Sequence, residues 1–112
     1  MKVKTVDMGS FEETVINSAK PVVVYFSATC RPCALMAPVV ERAATKHKDD
    51  IGFVQVDVIA NPALMRRFNI GSVPSFLIFE GGLVKTEIKN AQTESAFASF
   101  IFGFLQKKYE NV

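Results

Sequence analysis

One uninterrupted apolar run, residues 21–26 (PVVVYF), constrains the fold of this chain more than any other segment. β-branched and aromatic residues without polar alternation are typical of a strand covered on both faces, the usual state of a central strand in a parallel sheet. Two further strand candidates follow at residues 53–57 and 75–79. A pair of glycines after the third candidate predicts a hairpin turn into an alternating segment, residues 83–89.

Helical patterns separate these strands. Ser10 and Glu13 have the spacing of a capping box, which predicts a first helix that ends near Ser18. A second helix is predicted from Pro32 onward, with Pro38 inside it. A third helix is expected from Asn61-Pro62 to about residue 68. A fourth helix is expected from about residue 94 to 108, with one face formed by Phe97, Phe100, Ile101, Phe104 and Leu105.

The order of these elements predicts an α/β fold: a central mixed β-sheet of four or five strands, flanked by helices on both faces. Parallel strands would be joined by helical crossovers, and the glycine turn would add one antiparallel hairpin. The fifth strand depends on an edge candidate at residues 3–6. We expect a single domain over residues 1–112, since chains of this length bury enough surface for one core.

Composition and charge exclude several function classes. The net charge is +2 and the basic residues are spread along the chain, so we expect no nucleic-acid partner. The first residues lack the apolar segment of a signal peptide, and no apolar stretch is long enough to span a bilayer. We therefore expect a cytoplasmic monomer with no membrane partner. In that reducing compartment, a close cysteine pair is more often catalytic or metal-binding than structural.

The chain has two cysteines, Cys30 and Cys33, which follow the buried strand and begin a helix. Thiolate is the nucleophilic form of cysteine, and a free thiol with a pKa of about 8.5 is mostly protonated at pH 7. Unpaired N–H groups at a helix N-terminus stabilise the anion. Lowering the thiol pKa to about 7 requires only about 2 kcal/mol. Pro32 is tolerated there because its missing N–H would be unpaired in the first turn.

Three other interpretations of the cysteine pair are less favoured. A structural disulfide would close a very short loop and would be kept reduced in the cytosol. A structural zinc site usually has four ligands, whereas the chain offers two cysteines and one histidine, His47. The third interpretation is a pair of inert core cysteines, and the position of the pair at the start of a helix argues against it. The pair therefore indicates redox chemistry, with no metal and no organic cofactor.

From Asp7 to about Leu105 the sequence resembles the thioredoxin family. The resemblance rests on motifs in the family's order and spacing: Phe11-Glu12-Glu13-Thr14-Val15, Cys30-Arg31-Pro32-Cys33, Ala37-Pro38, Gly71-Ser72-Val73-Pro74 and Gly81-Gly82. It implies the thioredoxin fold and a thiol–disulfide oxidoreductase that reduces protein disulfides.

The resemblance also implies a role for each site residue. Cys30 would attack a partner's disulfide as the nucleophile, and Cys33 would resolve the mixed disulfide. The Val73–Pro74 bond would be cis and beside the cysteines, with the Val73 backbone pairing with an extended substrate. Ser72, Asn90 and Ala91 would complete the substrate-binding surface. The partners would be protein disulfides and, as electron donor, a thioredoxin reductase or another dithiol donor.

The chain departs from the family's pattern at several site positions. Thr29 replaces the usual Trp before the first cysteine, and Arg31 replaces the usual Gly. Val24 stands where the family has a buried Asp that serves the resolving thiol, and no replacement acid is evident. Asn90-Ala91 stands where a Gly-Ala pair is usual. We expect Arg31 to stabilise the Cys30 thiolate, which would make the reduction potential less negative than thioredoxin's value of about −270 mV.

Two alternative functions stay open. The lost Trp and Asp would fit a thioredoxin-fold binding or adaptor module with little reductase activity. A glutathione-dependent, glutaredoxin-type enzyme is disfavoured, because Cys30-Arg31-Pro32-Cys33 has Pro at the second intervening position and no aromatic residue there.

Overall fold

A computed structural model describes residues 3–110 and contains a five-stranded mixed sheet with the strand order β1-β3-β2-β4-β5. Strands β1 and β2 both pair with β3 in parallel, β4 is antiparallel to β2, and β5 is antiparallel to β4. The predicted mixed sheet is confirmed. The strands are β1 (Lys4–Thr5), β2 (Val22–Ser27), β3 (Gly52–Asp57), β4 (Ser75–Glu80) and β5 (Leu83–Ile88).

Helices cover both faces of this sheet. On one face lie α1 (Arg31–Lys46) and α3 (Glu94–Glu110), and on the other a π-helical turn (Glu12–Ile16) and α2 (Pro62–Arg67). The α1/α3 core includes Val23, Tyr25, Met36, Val40, Phe53, Phe76, Ile78, Phe97 and Ile101. The α2 core includes Phe11, Val15, Val22, Val24, Phe26, Val54, Val56, Leu64, Leu77 and Phe79.

Strand β2 lies at the centre of the sheet, and all six of its residues are buried. Its side chains alternate between the two cores, so Tyr25 lies in the α1/α3 core while Val24 and Phe26 lie in the α2 core. A strand with apolar neighbours on both faces needs the continuous apolar run that the sequence has. The cysteine motif begins three residues after the end of this strand.

The predicted first helix begins where expected, directly after Ser10, but its capping box and its type differ from the prediction. Ser10 does not cap with Glu13; its hydroxyl accepts a hydrogen bond from the Asp7 N–H, and the Asp7 carboxylate accepts one from the Ser10 N–H. The capping box therefore lies three residues earlier than predicted, because Asp7 is as good a cap as Ser. The helix then widens, and the Asn17 N–H donates to the Glu12 carbonyl five residues back.

Asn61 precedes α2 as predicted, but its side chain makes no capping hydrogen bond to that helix. Its Nδ2 donates to the Asp57 carbonyl, and its Oδ1 accepts from the Met8 N–H. Buried Asn61 therefore joins the N-terminal segment to the loop that follows β3.

The hairpin and the last helix follow the prediction. Gly81 and Gly82 both have positive φ values, 62° and 81°, as a two-residue hairpin turn requires. On α3, Phe97 and Ile101 are buried, while Phe102 points outward. Within residues 3–110, no helix combines the length and apolar character needed to cross a membrane.

Candidate active site

Cys30 and Cys33 lie at the N-terminus of α1 and form a disulfide in this structure. Cys30 is the residue before the helix, with extended backbone angles (φ −140°, ψ 156°). Its Sγ accepts a hydrogen bond from the Cys33 N–H at 3.1 Å, which occupies one of the donors that a helix start leaves unpaired. Cys30 thus caps the helix with its sulfur, and Pro32 lies in the first turn, as predicted.

The two cysteines differ in their exposure to solvent. Cys30 is half-buried, whereas only 3% of Cys33 is exposed. The Cys33 Sγ accepts a hydrogen bond from the Ala28 N–H at 3.5 Å, and the Cys30 N–H donates to the Ala28 carbonyl at 2.9 Å. Each sulfur therefore faces one main-chain donor, and donors of this kind stabilise a thiolate.

An open cavity of about 430 Å³ lies beside the disulfide. Its described lining contains no carboxylate and no histidine: Tyr25, Ser27, Ala28, Thr29, Cys30, Arg31, Cys33, Ala34, Ala37 and Gln55. Val24, at the position of the family's acid, is fully buried in the α2 core and does not line this cavity.

Three polar side chains of the sheet line this cavity behind the cysteines. The Tyr25 hydroxyl donates to the Cys33 carbonyl at 2.6 Å, and burial raises the pKa of Tyr25 to about 12. The Gln55 amide donates to the Ser27 hydroxyl at 3.1 Å. All three side chains project from β2 or β3 toward the helix that carries Cys33.

Sequence reasoning missed these three residues, although each left a signal. A tyrosine in a buried strand needs a partner for its hydroxyl. Gln55 interrupts the apolar pattern of β3, and Ser27 ends β2 with a buried hydroxyl. The main-chain donor from Ala28 left no signal, because every residue other than proline has the same N–H.

The Val73–Pro74 peptide bond is cis and precedes β4. Because Phe26 pairs with Ser75 across β2 and β4, Pro74 lies at the same edge of the sheet as the cysteines. Pro74 is buried, Val73 is half-buried and Ser72 is exposed.

Asn90 and Ala91 lie next to the Pro74 loop. The Ala91 N–H donates to the Pro74 carbonyl at 3.0 Å, and the Asn90 N–H donates to the Ser75 hydroxyl at 3.1 Å. Asn90 has a left-handed backbone, φ 55°, which Asn tolerates in place of the usual Gly. The segment that carries Asn90 and Ala91 is thereby brought to the edge where the cysteines lie.

Thr29 and Arg31 flank Cys30 and are both exposed at the mouth of the cavity. Arg31 is the first residue of α1, so its side chain extends from the helix start into solvent. Among residues 3–110, no three His, Cys, Asp or Glu side chains lie close enough together to hold a metal ion.

Comparison with known proteins agrees with the resemblance that the sequence motifs indicate. A family model described as Thioredoxin matches residues 2–102. The chain belongs to the thioredoxin family. It is 39% identical over 88 residues to the thioredoxin of Mycobacterium tuberculosis, covering 78% of this chain and 76% of that protein. It is 33% identical over 106 residues to chloroplastic thioredoxin X of Arabidopsis thaliana, covering 92% of this chain and 58% of the relative.

A third relative is larger. The bifunctional thioredoxin reductase/thioredoxin of Mycobacterium leprae is 38% identical over 88 residues, which are 78% of this chain and 19% of that protein. Membership of the thioredoxin family, together with the disulfide between Cys30 and Cys33, makes this chain a thiol–disulfide oxidoreductase. The thioredoxin fold predicted from the sequence motifs is confirmed.

Proposed function

We propose that this chain reduces protein disulfides, with Cys30 as the nucleophile and Cys33 as the resolving thiol. The difference in exposure between the two cysteines carries the assignment: Cys30 is half-buried at the helix start, and Cys33 is 3% exposed behind it. A folded partner can present its disulfide only to a sulfur that it can reach. Cys33 can be reached by the neighbouring Cys30.

The cycle transfers two electrons to the substrate. The Cys30 thiolate attacks one sulfur of the substrate disulfide, and the other substrate sulfur leaves as a thiolate that takes a proton from solvent. The Cys33 thiolate then attacks Cys30 Sγ and breaks the bond between Cys30 and the substrate. The second substrate sulfur leaves as a thiolate, and the disulfide between Cys30 and Cys33 remains on the protein.

The helix N-terminus supports the first step and the Ala28 N–H supports the second. The Cys33 N–H points at Cys30 Sγ, so it stabilises the attacking Cys30 thiolate. The Ala28 N–H donates to Cys33 Sγ and would stabilise the resolving thiolate. Because the described cavity lining has no carboxylate, the proton of Cys33 would pass to water in this open cavity.

Val73 and its neighbours would bind the substrate backbone. The loop before the cis Val73–Pro74 bond lies at the edge of the sheet that carries the cysteines. An extended substrate segment can pair with exposed main-chain groups there as an added strand. Ser72, Asn90 and Ala91 would flank this segment, and Thr29 and Arg31 would contact it beside Cys30.

For the electron donor, we propose a thioredoxin reductase in a reducing, cytoplasmic compartment. The Mycobacterium leprae relative supports this pairing, since its name joins a thioredoxin reductase and a thioredoxin in one chain. Reduction of the oxidised protein by NADPH with a thioredoxin reductase, compared with reduction by glutathione, tests the assignment. Reduction by glutathione alone would favour a glutaredoxin-type cycle.

Dithiothreitol-driven insulin reduction tests the reductase activity. The wild type should produce turbidity well before the dithiothreitol blank, and Cys30→Ser should match that blank. Cys33→Ser should lose turnover and, when the reduced variant is incubated with insulin in the absence of dithiothreitol, should trap a mixed disulfide that is visible by mass spectrometry. Trapping by Cys30→Ser instead would reverse the assigned roles. A wild type no faster than the blank would favour the binding or adaptor module.

A further inference from the structure

We infer that Tyr25 is a positioning residue for the resolving step, holding Cys33 beside Cys30 when the disulfide is open. The inference rests on the roles proposed above for the two cysteines. It starts from the hydrogen bond that the Tyr25 hydroxyl donates to the Cys33 carbonyl at 2.6 Å. This bond joins the central strand of the sheet to the first turn of α1.

The contact extends beyond Cys33 to the backbone of Cys30. The Cys33 carbonyl belongs to the same planar peptide group as the Ala34 N–H. That N–H donates to the Cys30 carbonyl at 2.9 Å. One rigid group therefore connects the Tyr25 hydroxyl on one side to the Cys30 backbone on the other.

Helix α1 lacks one main-chain hydrogen bond in the turn that follows Cys33. Pro38 lies inside α1 and has no N–H to donate to the Ala34 carbonyl four residues before it. A proline also crowds the preceding turn of its helix. A donor from outside the helix, such as Tyr25, therefore supplies an attachment for the turn that contains Cys33.

Tyr25 is itself held firmly. Its side chain is 1% exposed and stacks on Phe76, with ring centroids 5.0 Å apart. Its strand β2 is paired on both sides, with β3 and with β4. Burial raises the pKa of Tyr25 to about 12, so the hydroxyl keeps its proton over the range in which thiols titrate.

Reduction removes the covalent link between Cys30 and Cys33, but it does not remove the contact from Tyr25, which involves no sulfur. The contact limits the positions that Cys33 can take, which raises its effective concentration at Cys30. Losing the hydroxyl should therefore slow the attack of Cys33 on a mixed disulfide. It should also make the internal disulfide less favourable, which makes the reduction potential less negative.

The test compares the reduced wild type with Tyr25→Phe, which keeps the ring and removes only the hydroxyl. The chromogenic disulfide dithiobis(nitrobenzoate) reports both steps. Attack by Cys30 releases a first equivalent of thionitrobenzoate, and resolution by Cys33 releases a second. The first release should keep its rate in Tyr25→Phe, and the second should slow about threefold, as expected for one modest hydrogen bond.

The equilibrium with a dithiothreitol redox buffer gives an independent readout. We expect about a threefold smaller constant for formation of the internal disulfide in Tyr25→Phe. Since tenfold corresponds to 29.6 mV for a two-electron couple, threefold is about 14 mV toward less negative potentials. A hydroxyl that served only the stability of the fold would change neither value.

Ile101→Val is the matched control, since Ile101 is buried in the same α1/α3 core but lies on α3. Its loss of one methylene should destabilise the protein about as much as Tyr25→Phe and leave both redox readouts unchanged. Equal shifts in both variants, or an unchanged second release in Tyr25→Phe, would overturn the inference. A wild type that releases no second equivalent would instead refute the proposed roles of the cysteines.

Discussion

The Gln55 side-chain amide donates a hydrogen bond to the Ser27 hydroxyl at 3.1 Å, and both side chains line the cavity that contains Cys33. The pair joins neighbouring strands β2 and β3. Ser27 is 4% exposed, so its hydroxyl depends on protein partners more than on bulk water. These neutral groups, together with Tyr25, form the polar part of the wall that the sheet contributes to the cavity.

Removing one member of this pair should destabilise the protein. Ser27→Ala would leave the Gln55 amide without its acceptor, so we expect the free energy of unfolding to fall by about 1 kcal/mol. Urea denaturation of Ser27→Ala, Gln55→Leu and the double variant measures the coupling directly. The double variant should lose about 1 kcal/mol less than the sum of the single losses. Strictly additive losses would show that the hydrogen bond contributes nothing to stability.

Arg31 should shift the reduction potential by a small, salt-dependent amount. Its charge lies next to Cys30 but its side chain is exposed, so solvent screens the interaction. We expect Arg31→Ala to have a potential about 10 mV more negative than the wild type, or about twofold in the equilibrium with a glutathione buffer. The wild type should lie above about −270 mV.

The control for this experiment is Arg66→Ala, which removes an exposed arginine from α2. Its potential should equal that of the wild type. In about 1 M salt the difference for Arg31→Ala should also disappear, because the screening length falls to about 3 Å. An equal shift in both variants would show that net charge, rather than the position of Arg31, sets the potential.

The two hairpin glycines should differ sharply in their tolerance of substitution. A Cβ on Gly82 would lie 3.2 Å from both the Cγ2 and the carbonyl oxygen of Ile16, and Gly82 has φ 81°. Gly82→Ala should therefore lose about 2 kcal/mol of stability, from backbone strain and from the close approach.

Gly81→Asn should be nearly neutral, since nothing lies within 4 Å of its added Cβ. Asn also accepts left-handed backbone angles, as Asn69 and Asn90 do in this chain. Thermal unfolding of both variants checks the contrast. Equal losses would mean that the turn conformation, and not the contact with Ile16, limits both positions.

Tyr25 should make the protein sensitive to alkaline pH. Its pKa is about 12 in the folded state and about 10 when unfolded, so the fold favours the protonated phenol. This stabilisation is fully present below pH 10 and is lost as the pH rises through 12, to a total of about 2–3 kcal/mol. Tyr25→Phe lacks the ionising group. The urea midpoint of the wild type should fall relative to that of Tyr25→Phe as the pH rises from 10 to 12, whereas parallel curves would contradict the assignment.

The sequence predicted the strands and helices whose buried residues form a regular pattern along the chain. The run through Val24 and Phe26 predicted a central strand, and the spacing of Phe97 and Ile101 predicted the buried face of α3; both are confirmed. The capping box of the first helix was assigned wrongly because Asp7 and Ser10 both suit a cap, and only tertiary packing decides between two such candidates.

The contacts behind the cysteines depend on strand order, which one sequence does not specify. Gln55 reaches Ser27 because β3 lies next to β2, and Tyr25 reaches Cys33 because α1 crosses the face toward which Tyr25 points. Side-chain periodicity predicts which face of a strand is buried, but not which neighbour it meets. The cysteine pair, by contrast, was identifiable because its three-residue spacing is local.

The central position of β2 has a mechanical consequence. A substrate joined to Cys30 pulls on the chain just beyond this strand, which has hydrogen-bonded neighbours on both sides. Its amide protons should exchange with solvent only when the whole domain opens, whereas those of β1, a two-residue edge strand, should exchange by local opening. The covalent intermediate is therefore attached next to the segment of the chain that unfolds last.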